Sequence, residues 1–235
     1  MKLIVAGCSH SNGSEIDGVR HPGNIQKAYG GKIAHRFRWD LKNISGPGWG
    51  NDWIFDNVMG YFDDCPDPED HFCIIGWTCP GRYTLYCHVE DKVINACPGQ
   101  DASCFAEPSL FRRVDQHYKT AMPERYTWAH EHYIIIAMQD YLKKIGVNYL
   151  FFDAVTANHA LGDRRFNLKH IDKERYFRLN DEQNSYWNYY LQNVWDGNHR
   201  WSQHAPESYH DYWANLLIDY MMEKQLWHPE LTKYT

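Results

Sequence analysis

A serine and a group of histidines carry the chemistry open to this sequence. Ser9 lies in GCSHSNG, residues 7–13, directly after the apolar run KLIVA. Small and polar residues thus follow a buried strand, at the edge where open α/β sheets place ligand sites. A serine there has two uses. It is a nucleophile where a histidine can take its proton, since the hydroxyl is weak at its own pKa. Otherwise Ser9, or Ser11, caps the next helix with its side-chain oxygen. A phosphate cradle at this turn is disfavoured, because neither the lysine of a P-loop nor a GxGxxG pattern accompanies it. His199, His204 and His210 lie together further on, five and six residues apart. Helical metal ligands favour i, i+4 spacing. His130 and His132, two apart on a helix, point to different faces. No metal is therefore expected. Asp17, His21 and His35 have no motif around them and read as surface or satisfied residues.

Elements at regular intervals must position these side chains. Short apolar runs at 3–7, 41–45, 71–78 and 148–155 read as strands. Helical spacing marks 24–38, 52–62, 123–145 and 205–225. The Gly30-Gly31 pair weakens the first of these helices. Pro123 and Gly146 bracket the third. Residues 80–122 form an irregular insertion, with a hairpin expected over YTLYCHV and KVINAC. Residues 156–203 form a long loop rich in aromatics. The alternation of strand and helix implies a parallel sheet covered on both faces, with right-handed connections. A three-layer α/β/α sandwich follows, with residues 1–235 as a single domain. The loops after residues 7, 45, 78 and 155 would share one edge of it.

Composition removes several classes of function. The chain has 235 residues and a net charge of −6, without the basic footprint of a nucleic-acid binder. No apolar stretch reaches the length of a membrane span. The apolar run before Gly7 is too short for a signal peptide, so a cytoplasmic location is expected. Seven cysteines without a CxxC indicate neither a disulfide framework nor a zinc knuckle, and a reducing compartment fits.

The motifs taken in order resemble those of the SGNH, or GDSL-type, hydrolases. GCSHSNG is similar to the family's first block, with Ser9 at the nucleophile. Asn43-Ile44-Ser45-Gly46-Pro47-Gly48 has the second block's spacing, and the resemblance puts the Gly48 N–H in the oxyanion hole. GWGNDWI at 48–54 looks like divergent members from tailed-phage genomes. The third block departs from the pattern. IIGWTCPGR sets Thr78 where the family has an asparagine, a hydroxyl in place of an amide, with Arg82 close by. HAPESYHDYWA, residues 204–214, has the spacing of the last block, and its match makes His204 the base. The family acid two or three residues before that histidine is replaced by Trp201 and Ser202. A literal DxxH stands upstream as Asp196-Gly197-Asn198-His199. Three arrangements stay open: Asp196 orients His204, His199 is the base, or the acid is absent.

The resemblance implies a serine esterase working through an acyl-enzyme, without a cofactor. Ser9 attacks, His204 shuttles the proton, and the N–H groups of Ser9 and Gly48 with Thr78 hold the oxyanion. The aromatics between 176 and 213 suit a small-molecule or carbohydrate ester, such as a short-chain or O-acetyl ester. Nucleic acid and membrane are not expected partners. The alternative is a binding or structural, virion-associated module on the same fold whose catalysis has decayed, a reading the missing Asn and Asp favour.

Overall fold

The structure, a computed structural model, describes residues 1–18, 21–87, 91–96, 112–114, 116–117, 120, 124–155, 168–179, 185–194 and 204–227. Strand β1 (Lys2–Gly7) leads into a single helical turn, α1 (Ser9–Asn12). Then come α2 (Asn24–Lys27), α3 (Tyr29–Phe37), β2 (Asp40–Asn43), α4 (Asn51–Asp63) and β3 (His71–Trp77). The hairpin β4 (Tyr83–Cys87) and β5 (Lys92–Ala96) follows, then α5 (Glu124–Lys144) and β6 (Asn148–Asp153). Strand β7 (Tyr176–Phe177), α6 (Tyr186–Asn193) and α7 (Glu207–Glu223) complete the set.

Five strands form a parallel sheet in the order β2-β1-β3-β6-β7. Its middle strands are apolar on both faces, as a sheet covered on both sides requires. Alternation sends Leu3, Val5, Phe72, Ile74, Leu150 and Phe152 to one face, against Tyr29, Ile33, Trp213 and Leu217 of α3 and α7. Ile4, Ala6, Cys73, Ile75, Tyr149 and Phe151 face the other way, against Ile54 and Val58 of α4 and Ile135, Met138 and Leu142 of α5. The three-layer architecture expected from the sequence is the one observed.

Several boundaries differ from expectation. The helix read over 24–38 is two helices. Ala28 between them is extended, at ψ 161°, which lets α3 turn to lie on the sheet. The hairpin forms with Tyr83 opposite Ala96. The segment read as a loop over 156–203 contains β7 and α6. A two-residue strand has no period to detect, and Ser185 caps α6 by accepting the Asn188 N–H, a signal hidden among aromatics. Pro206 is the N-cap of α7 and lies just before its first turn.

Candidate active site

Ser9 is set by the way β1 ends. Gly7 has φ 151°, and a Cβ there would lie 2.2 Å from the Ser11 Oγ and 2.8 Å from the Gly76 carbonyl. Only glycine lets the chain fold back so closely onto β3. Cys8 is extended and buried, α1 makes one turn, and Gly13 closes it in the left-handed region at φ 71°. Neither serine caps α1, whose N-cap is Cys8 with no side-chain bond. Ser11 is fully buried, and its Oγ accepts the Tyr29 hydroxyl at 2.8 Å. Ser9 is half-buried and so retains access to solvent.

The turn after β2 is tied to this one. The Asn43 amide donates to the Ser11 carbonyl at 2.9 Å, and its oxygen accepts the Ser45 N–H at 2.9 Å. Asn12 donates to the Ser45 carbonyl, and the Gly46 N–H donates to the Gly7 carbonyl, each at 3.2 Å. Gly48 sits in this turn with φ 79°, beside Asn95 of the β4–β5 hairpin.

Thr78 follows β3 on the same edge. Asn51, at the start of α4, accepts the Thr78 N–H at 2.8 Å and donates to its carbonyl at 3.2 Å. The Asn51 amide also donates to Glu131 of α5. The Thr78 side chain is fully buried, and its Oγ1 has no hydrogen-bond partner among the described residues. Burial pushes the Glu131 carboxyl up to about 8, with the charge of Asp52 adding to the effect, against bonds from Asn51 and the Gly81 N–H. Sequence reasoning missed this polar cluster, although Asn51 falls within GWGNDWI.

His204 comes from the segment just before α7. Its ring centroid lies 5.2 Å from that of His10, the residue after Ser9. Its Nδ1 lies 3.0 Å from Oε2 of Glu15. His10 also stacks on Trp187 and tilts against Tyr186, each at 5.2 Å. Burial drives the His10 pKa well below the usual histidine range, and the charges of His204, His210 and Arg82 add to that. His210 of α7 accepts the Tyr29 N–H at 3.3 Å and faces the Tyr186 hydroxyl; burial pushes it down to about 3. Both are thus neutral packing groups at ordinary pH. A histidine acting as general base must become a cation in every turnover. Of these three rings, only His204 has a carboxylate against it among the described residues, and its side chain is 14% exposed. Asp196 and His199 lie outside the described residues. Glu15 had no signal in the sequence, because an acid is sought just before the histidine and this one lies just after the serine.

Ser9, Gly48, Thr78 and His204 therefore stand at the carboxyl edge of the sheet. Asp17 pairs with Lys27 at 2.6 Å, with His21 alongside at 3.6 Å. A cavity of about 500 Å³ opens at the opposite edge, between Lys2, Tyr61, Cys65 and His71. Among the described residues, no three His, Cys, Asp or Glu side chains gather as a metal site, and no helix is long and apolar enough to cross a membrane.

No protein-family model matches the chain, and no curated protein matches it in sequence. Solved structures match it in fold. The psychrotrophic esterase EstA from Pseudoalteromonas sp. is similar with a TM-score of 0.51 at 8% identity, over 94% of this chain and 97% of that one. TesA is similar with a TM-score of 0.51 at 10% identity, over 95% and 99%. At such identity the likeness is one of fold, and that fold is the three-layer α/β/α sandwich expected from the sequence.

Proposed function

We propose that this protein is a serine ester hydrolase. One observation carries the reading: His204, from the segment before the last helix, packs beside the Ser9 turn with a carboxylate at its Nδ1. As Ser9 Oγ attacks the acyl carbon, its proton passes to His204. The oxyanion that forms is held by the N–H groups of Ser9 and Gly48, with Thr78 in support. The proton then goes to the leaving alkoxide, and water repeats the sequence to release the acid. One oxyanion donor is worth about 2.7–4 kcal/mol, so Thr78 in place of an amide fits a slow enzyme better than a fast one. Three rings lie 5.2 Å from His10, centroid to centroid, and such crowding favours a small acyl group, such as the acetyl of a short-chain or carbohydrate ester. EstA has been solved inhibited by monoethylphosphonate, and a phosphonate is the matching probe here.

The test is labelling with a fluorophosphonate together with hydrolysis of p-nitrophenyl acetate. Wild type should label stoichiometrically and turn over. Ser9→Ala should do neither. His204→Ala should lose turnover as fully as Ser9→Ala, and the double variant should be no worse, because nucleophile and base act as a unit. A wild-type protein that neither labels nor turns over would leave the fold as a binding or structural module, the reading favoured by a threonine where the family has its asparagine.

A further inference from the structure

We infer that Glu15 is the positioning residue for His204, supplying from the segment after the nucleophile the carboxylate that the family takes from just before the histidine. The inference rests on the hydrolase reading. Glu15 Oε2 lies 3.0 Å from His204 Nδ1. The contact is at ion-pair distance and off the line of an ideal hydrogen bond, as catalytic contacts in ligand-free sites commonly are until substrate tightens them. The backbone supports the assignment. Glu15 has φ 73°, a left-handed conformation costly for a residue other than glycine. It is held there between two turn bonds, Ser14 N–H to the Ser9 carbonyl and Ile16 N–H to the Gly13 carbonyl. The residues at the family's acid spacing are Trp201 and Ser202. Other carboxylates nearby face lysines: Asp17 is on Lys27, while Glu207 and Asp211 are on Lys32.

The proton stays balanced. With Nδ1–H donating to Glu15, Nε2 is the unprotonated nitrogen that acts as base. It takes the Ser9 proton as the Oγ–C bond forms and gives it to the alkoxide as the ester C–O bond breaks. Glu15 remains a carboxylate throughout, fixing the tautomer and facing the imidazolium.

Steady-state kinetics on p-nitrophenyl acetate with the full chain tests this, alongside thermal unfolding of each variant. Glu15→Gln keeps the shape and removes the charge. Its kcat should fall by about 10²–10⁴-fold, toward the loss the handling of an orienting acid gives in serine proteases, with KM and the unfolding midpoint little changed. Glu15→Asp should recover part of that loss, because the carboxylate is kept. Asp17→Asn removes a neighbouring negative charge that faces Lys27, and should leave kcat near wild type. Glu15→Gln at wild-type kcat while Ser9→Ala is dead would overturn the inference and leave the hydrolase standing. So would a loss confined to Asp196→Asn, or an equal loss in Asp17→Asn. Ser9→Ala active at the wild-type rate would mean that the hydrolase reading itself had failed.

Discussion

Two serines two residues apart meet opposite fates in the first turn. Ser11 is enclosed between Gly7, Gly76 and Tyr29, and its hydroxyl is committed to Tyr29. Ser9 is half-buried and keeps access to solvent. Ser11→Ala should therefore leave fluorophosphonate labelling intact and cost about 1–3 kcal/mol in urea unfolding, because the buried Tyr29 hydroxyl loses its acceptor. Adding Tyr29→Phe should return part of that cost, since removing both partners is cheaper than orphaning one. Full stability in Ser11→Ala would show that the Tyr29 hydroxyl finds another partner. At this scale the sequence was legible where chemistry and backbone demand coincide. Gly7, Ser9, Asn43 and Gly48 each occupy a position that few other residues can fill, so short motifs expose them. Glu15 and Asn51 act through partners far away in the chain, and no local spacing encodes such a contact.

Elements tell a similar story with one reversal. The Gly30-Gly31 pair argues against a helix by propensity, yet both glycines lie in the first turn of α3. The glycines are there for approach. A Cβ on Gly30 would lie 2.6 Å from Val5 Cγ2, and one on Gly31 would lie 2.2 Å from the Gln26 carbonyl oxygen. Alanine is worth about 1 kcal/mol over glycine in an open helix, but a backbone overlap reverses the sign. Gly31→Ala should destabilise by about 1–3 kcal/mol. Lys32→Gln, which removes the partly exposed pairs to Glu207 and Asp211 at 2.7 and 3.0 Å, should cost no more than about 1 kcal/mol. Urea midpoints in that order would place the α2–α3 approach above the α3–α7 ion pairs; a stabilised Gly31→Ala would refute the packing argument. The long strands and helices were legible because their periods run for several residues. β7 was not, being two residues long.

Over the whole molecule, buried ionisable groups set how stability follows pH. His210 is pushed down to about 3 from the ordinary 6.5. Between those values the unfolded chain binds a proton that the folded one refuses, so stability rises with pH and the gain is complete above 6.5. Glu131 works in the opposite sense. Pushed up to about 8 from 4.5, it holds a proton when folded that the unfolded chain releases, so stability is lost across that window as pH rises. Above pH 6.5 the Glu131 slope is the one that remains of the two. The urea midpoint should fall from pH 6.5 to 8 in the wild type and stay level in Glu131→Gln. Parallel slopes in the two proteins would mean that Glu131 is ionised in the fold.

The docking of α7 on α3 also sets a schedule. The Tyr29–His210 and Lys32–Glu207 contacts join residues 181 and 175 positions apart, and contacts of such separation are slow to form. His204 is carried to the Ser9 turn by that same closure. On the proposed hydrolase reading, a chain leaving the ribosome exposes Ser9 long before His204 can reach it, and stays chemically quiet until the final helix has seated. On that reading, whatever delays that seating would hold back reactivity.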